Sequence, residues 1–171
     1  MGQLLERLPE GYNHLRREAE IGSGRRSFEV AADKVVAWEM QRRAGVLVGT
    51  SAGVAKPGAH VKVGVGPLSG GCRVVYVVDE PNQRGFAYGT LQGHPESGEE
   101  FFGVRFDPTN EKVYAQVVAF SRPGQWWSKP AAWLGSVVQR RVTDRYLGAL
   151  MALIEDAPTP GLVVMTMLVF K

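Results

Sequence analysis

Toward the C-terminus Leu134, Val138, Val142, Tyr146, Leu150 and Ile154 recur every four residues, and Val137, Leu147, Met151 and Leu153 widen the stripe they form. A helix with so broad an apolar face must be covered by the rest of the chain. Pro130 in its first turn and Pro158 beyond its last bracket it, so the spacing predicts a helix from Pro130 to about Glu155. What covers it is written upstream, where the apolar period changes from four to two. Val46 and Val48, then His60 to Val65, alternate around the turn-forming Lys56-Pro57-Gly58. Cys72 to Asp79 and Arg84 to Leu91 form a predicted hairpin about Glu80-Pro81-Asn82-Gln83, and the glycines of its second strand point to a bulge or a close backbone approach. Glu99 to Phe106 and Lys112 to Phe120 form a second hairpin about Asp107-Pro108-Thr109-Asn110. Ahead of the strands, Phe28, Val30, Ala31, Val35, Trp38 and Met40 predict an amphipathic helix near Arg25 to Arg43, capped by Ser23 or Ser27 and ended by Gly45 in the left-handed conformation.

The expected fold class is α+β: a curved, mostly antiparallel sheet wrapped on the long C-terminal helix, with residues 1–171 as a single domain. A sheet curled around a helix leaves a cavity between them, a common place for small molecules.

Composition removes several classes of function. Cys72 is the single cysteine, so no internal disulfide forms and no zinc site can be built from cysteines alone. The first dozen residues hold Glu6, Pro9 and Glu10 and lack a secretory apolar stretch, and the run Leu162 to Phe170 falls far short of the roughly 20 residues a bilayer span requires. A cytoplasmic protein without a membrane span is the expectation. The formal charge of +3 is spread along the chain, and the densest basic segment, Gln139 to Arg145, reads as the solvated face of the long helix. Nucleic acid is therefore not an expected partner. Gly22-Ser23-Gly24 precedes a helix but has neither a strand before it nor the lysine of a phosphate loop, so no nucleotide, and no other cofactor, is expected.

The run Val75-Tyr76-Val77-Val78-Asp79-Glu80-Pro81, followed by Arg84-Gly85-Phe86-Ala87-Tyr88-Gly89-Thr90-Leu91 and Gly93-His94-Pro95-Glu96-Ser97-Gly98-Glu99-Glu100, resembles the uncharacterised DUF1990 family. Gly11-Tyr12-Asn13, Gly22-Ser23-Gly24, Phe120-Ser121-Arg122-Pro123, Gln139-Arg140-Arg141 and Tyr146-Leu147 extend the resemblance over about residues 8–150. Residues 157–171 form an atypical tail that departs from the usual family ending. The resemblance implies no settled activity. In element order it is similar to the START-like, birch-pollen-allergen-like helix-grip proteins, which bind lipids, sterols, polyketides and other apolar molecules and include cyclases and hydrolases. A small apolar or amphipathic ligand is what the resemblance implies.

Chemistry is densest in the loop from His94 to Glu100, where an imidazole and three carboxylates crowd together. His94 with Glu96 or Glu99 is the candidate acid–base pair, and the same three side chains are alternative ligands for a divalent cation, although no metal is expected. The structural alternative is that they hold an irregular loop. Tyr76 and Tyr88, on adjacent predicted strands, are placed to orient a ligand from one face. Trp126, Trp127 and Trp133 gather at the start of the long helix and either close the core, rim a pocket or anchor a partner. Arg122 is the candidate to pair with a ligand carboxylate or with Glu100. A triad of Ser97 and His94 is rejected, since close neighbours on a short loop do not present that geometry. Three readings follow: a binding protein, a cyclase- or hydrolase-like enzyme using His94, and a docking module that forms a homodimer through its tail.

Overall fold

A computed structural model of the chain describes residues 8–50, 52–65, 68–94, 96–123 and 132–156, without the side chains of residues 68, 123 and 132–140. The elements in chain order are β1 (Asn13–Ser23), α1 (Gly24–Val36), α2 (Glu39–Arg43), β2 (Leu47–Thr50), β3 (His60–Val65), β4 (Leu68–Glu80), β5 (Gln83–Thr90), β6 (Glu96–Asp107), β7 (Lys112–Pro123) and α3 (Ala132–Glu155). The strands make one antiparallel sheet in the order β1-β7-β6-β5-β4-β3-β2. Each strand after β2 pairs with its predecessor, and β1 returns to pair with β7 from the far end of the sequence.

The inner face of this sheet carries the main core. Phe86, Tyr88, Phe102, Val104 and Val117 pack there with Phe28 and Val35 of α1, Met40 of α2, and Tyr146 and Leu150 of α3. Burying the stripe predicted for the long helix is what joins α3 to the strands. The result is the expected helix-grip architecture. A smaller cluster of Ala87, Phe101 and Val118, joined by Leu8, Tyr76, Val78 and Phe120, lies on the outer face.

Glycine lets the sheet bend. A Cβ at Gly85 would stand 2.2 Å from Phe102 O, and one at Gly98 would stand 2.0 Å from Phe120 O, so neighbouring backbone occupies the space a side chain would need. This is the close approach anticipated for the β4–β5 hairpin. The bulge lies on the other strand: β4 pairs Val74 with Tyr88 and Tyr76 with Ala87, which leaves Val75 as an extra residue.

Three expectations are corrected. The helix near Arg25 to Arg43 is two helices, broken where Trp38 adopts φ 65° with its fully buried indole 4.4 Å from the Phe86 ring. Tertiary burial of that ring prevails over helical continuation, because a non-glycine residue takes the left-handed region only when its surroundings require it. Ser23 does occupy the cap position of α1, yet its side chain makes no capping bond. A strand, β1, precedes Gly24, so the case against a phosphate loop rests on the missing lysine alone. Gly45, at φ 82°, does end α2.

Candidate functional site

Strand alternation decides which of the candidate residues meet. Glu96, Gly98, Glu100, Phe102, Val104 and Phe106 occupy successive inward positions of β6, since the last three belong to the inner core and no register shift interrupts the β6–β7 ladder. Glu100 therefore faces inward beside Tyr88, its ladder partner on β5, whose hydroxyl donates to Glu100 Oε2 at 3.1 Å. The Tyr88 ring is flanked by Trp38 at 6.4 Å and by Phe102 at 5.3 Å, and Tyr146 of α3 meets Phe102 edge-on at 5.2 Å. Cys72 of β4 completes this wall and is fully buried.

Placing a carboxyl under an apolar core has an electrostatic consequence. Burial pushes Glu100 up from 4.5 to about 7, with the Tyr88 hydrogen bond opposing the rise and nearby Glu96 adding to it. Burial also raises Glu96, against a hydrogen bond from Ser121. Tyr88 and Tyr146 lie well above the usual phenol range, chiefly through burial and then through the Glu100 charge. For the same two reasons the Cys72 thiol is pushed up to about 12, which makes it an inert wall and not a nucleophile. Glu100 is thereby poised to change charge near neutrality.

His94 reaches the same face. Its ring fills the place of a Gly70 side chain, since a Cβ there would lie 1.9 Å from His94 Cδ2, and Gly70 sits two residues along β4 from inward-facing Cys72. His94 Nδ1 lies 3.0 Å from both the N–H and the carbonyl oxygen of Glu96, which ties the ring to the start of β6. Burial lowers the His94 pKa, so the ring stays neutral at physiological pH.

The sequence-based candidates thus separate. His94, Glu96 and Tyr88 share the inner face. Glu99 is directed to the outer face between Ser97 and Phe101 along β6, so it joins neither an acid–base pair nor a metal site with the other two. Tyr76 is also an outer-face residue, its ring stacked 6.2 Å from Phe101, because the extra residue at Val75 inverts its side relative to Tyr88. Arg122 follows inward Ser121 and stacks its guanidinium 4.7 Å over Tyr12, so it does not pair with Glu100. Trp126, Trp127 and the tail from Leu162 to Phe170 lie outside the described residues, as does the side chain of Trp133. Glu100, Tyr146 and Cys72 were not among the predicted site residues. The signal for Glu100 was present: Glu96 and Glu100 stand an even number of residues apart on one strand, with glycine between them.

Among the described residues no helix is long and apolar enough to cross a membrane. A family model described as a domain of unknown function (DUF1990) matches residues 1–149. A protein of Deinococcus radiodurans called UPF0548 protein is 40% identical over 79 residues, covering 46% of this chain and 39% of that protein. The chain therefore matches well under half the length of this relative. Among solved structures, hypothetical protein jhp0584 from Helicobacter pylori is similar at a TM-score of 0.63 and 8% identity, over 88% of this chain and 91% of that one. The ZhuI aromatase/cyclase from Streptomyces sp. R1128 is similar at a TM-score of 0.58 and 17% identity, over 84% of this chain and 94% of that one. At such identities the likeness concerns the fold.

Proposed function

The chain belongs to the DUF1990 family, whose description carries no activity, and we propose from the interior site that it binds a small amphipathic molecule between the inner face of the sheet and α3. The ligand's apolar body packs on the aromatic wall of Phe86, Phe102 and Tyr146, and its polar end meets Tyr88 and Glu100. The observation that carries this reading is the inward carboxyl of Glu100, held near neutrality beneath an apolar core and bonded to Tyr88. A chain needing only stability gains little from a carboxyl at that depth, where desolvation works against its charged form. Tyr88 and Glu100 together offer a donor and an acceptor to a hydroxyl or carbonyl group, within walls that reward apolar burial.

A second reading is favoured by the same group. A carboxyl with a pKa of about 7 is suited to exchange a proton with a bound carbonyl compound, and the likeness to an aromatase/cyclase is in keeping with such chemistry. In that reading Glu100 replaces the pair of His94 with Glu96 or Glu99, and the His94 ring lies at the edge of the site.

Native mass spectrometry of the purified protein, with thermal shifts across lipids and aromatic polyketides, tests the proposal. The expected result is a non-covalent adduct or a shift that Glu100→Gln or Tyr88→Phe weakens about tenfold, the loss of roughly one hydrogen bond to a charged group. An apo mass, with no shift from any compound, would overturn it. Turnover of a bound carbonyl compound, abolished in Glu100→Gln with binding retained, would select the second reading.

A further inference from the structure

On one side β4 outruns its neighbour. β3 pairs with it only from Leu68 to Arg73, and Val74 is the last residue served on that edge, donating to Ala59 O at 2.9 Å and accepting from the Gly58 N–H at 2.8 Å. β5 covers the other edge as far as Glu80, which lies across from Gln83. A two-residue turn makes Glu80 and Gln83 a hydrogen-bonded pair, so Val78 and Tyr76 also bond to β5, while Val77 and Asp79 direct their N–H and C=O groups away from it. Among the described residues no strand pairs with these groups. A groove of about 820 Å³ runs beside them, between β4, α1, α2 and the C-terminal end of α3. Val77 and Val78 both line it although their side chains belong to opposite faces of the sheet, so the groove meets the strand edge-on. An open edge invites another strand unless charge, proline or a covering element protects it. Tyr76-Val77-Val78 carries neither charge nor proline, and Val54 across the groove is 42% exposed.

Charge and register together select the partner. The groove's rim holds four basic and four acidic side chains, and most are paired internally: Lys34 with Glu39 at 2.9 Å, Arg43 with Asp156 at 2.8 Å, and Arg84 with both Asp33 and Asp79 at 2.9 Å. Such a rim neither attracts an anion nor repels an identical rim. The strand is also complementary to itself. Turned antiparallel about a two-fold axis at Val78, it sets Val77 opposite Asp79 of the partner subunit and Tyr76 opposite Glu80 of the partner subunit. Val77 and Asp79 of each copy then form hydrogen-bonded pairs, and no like charges face one another. Tyr76 and Val78 are half-buried members of the outer apolar cluster, which this pairing continues into the second copy. We propose that two copies of the chain associate by pairing the open edges of β4 about this axis, so that the two seven-stranded sheets become one. The contact uses neither Tyr88 nor Glu100 and does not depend on a ligand between them.

Native mass spectrometry and hydrogen–deuterium exchange on the full chain test this together. The expected results are the mass of two chains and slow exchange at the Val77 and Asp79 amides, which speeds up about tenfold when dilution yields the monomer. Val78→Lys and Val78→Glu each place like charges against one another at the axis and should give monomers. Mixing the two variants should restore a dimer, since opposite charges then meet. Val78 is partly exposed on the outer face, and unchanged exchange in β6 and β7 will show that each variant folds. If either does not, the dilution series of the parent decides alone. A parent that stays monomeric, with Val77 and Asp79 exchanging freely, would overturn the proposal. So would a dimer that both Val78 variants leave intact, which puts the interface elsewhere, or protection of Val77 and Asp79 that persists in the monomer.

Discussion

Glu100 links the site to the stability of the fold. Its pKa is raised on folding, from 4.5 to about 7, so the native state disfavours its ionisation. The stability attached to the neutral carboxyl is fully present below 4.5 and is lost as the pH rises through about 7. At about 1.4 kcal/mol per pH unit the loss amounts to roughly 3 kcal/mol. Glu100→Gln should therefore be the more stable protein at about pH 8, and should lose less stability than the parent between about pH 5 and pH 8 in urea denaturation. Parallel pH profiles would show that Glu100 does not titrate in that window. Tyr88→Phe removes the hydrogen bond that opposes the rise, so the carboxyl of Glu100 should titrate higher still, as NMR of labelled glutamate would read. These residues also mark where sequence reading stops. His94 and Glu96 stood out because imidazole and carboxylate are conspicuous within a short loop. Which of Glu99 and Glu100 turns inward depends on strand parity, which the β5–β6 and β6–β7 ladders set through pairings distant in sequence. The single extra residue at Val75, invisible in a run of β-branched side chains, was enough to send Tyr76 to the opposite face from Tyr88.

At the scale of elements, curvature depends on positions where strands cannot carry side chains. Gly85→Ala would drive a methyl to 2.2 Å from Phe102 O, a backbone atom that cannot swing aside, so the β5–β6 contact must open. A cost of about 3 kcal/mol is expected, measured by chemical denaturation, since overpacking against immobile neighbours falls at the upper end of its usual range. Gly70→Ala is the informative contrast, because the obstacle there is the His94 ring. It should cost less and displace the ring, seen as a change in the His94 imidazole shifts. The elements themselves were largely legible. Both hairpins, β3 and the extent of α3 follow from period-two runs, turn residues and a four-residue stripe. β1 was not, and its sequence explains why. Asn13 to Glu20 is mostly polar, with Leu15 and Ala19 its two apolar side chains, and is rich in residues that helices accept, while Ile21 is the one buried side chain of β1. Its strand identity comes from the open edge of β7 that it covers. The break at Trp38 was likewise hidden, since it is imposed by the core that receives the indole.

The topology of the whole molecule orders its assembly. From β3 to β7 each strand pairs with the strand before it, and turns such as those at Pro81-Asn82 and Asp107–Asn110 close these hairpins over short loops. β1 is different: Asn13 lies opposite Ser121 and Ser23 opposite Lys112, so the first strand of the chain docks on the last. Closing so long a loop costs entropy that no local contact repays, which favours forming the β4–β7 meander and its contacts with the helices first and adding β1 afterwards. The two stages make different kinetic demands. Val104→Ala, in the middle of β6 and fully buried, should slow folding by most of its effect on stability, because its contacts form with the meander. Ile21→Ala, buried in β1, should leave the folding rate nearly unchanged and speed unfolding. Each truncation removes enough apolar volume to be read reliably, about 1 to 3 kcal/mol. Stopped-flow folding and unfolding limbs for the two variants beside the parent measure both rates. Should Ile21→Ala instead slow folding as strongly as Val104→Ala, closure of β1 onto β7 would belong to the nucleus, and the sheet would assemble from its two ends at once.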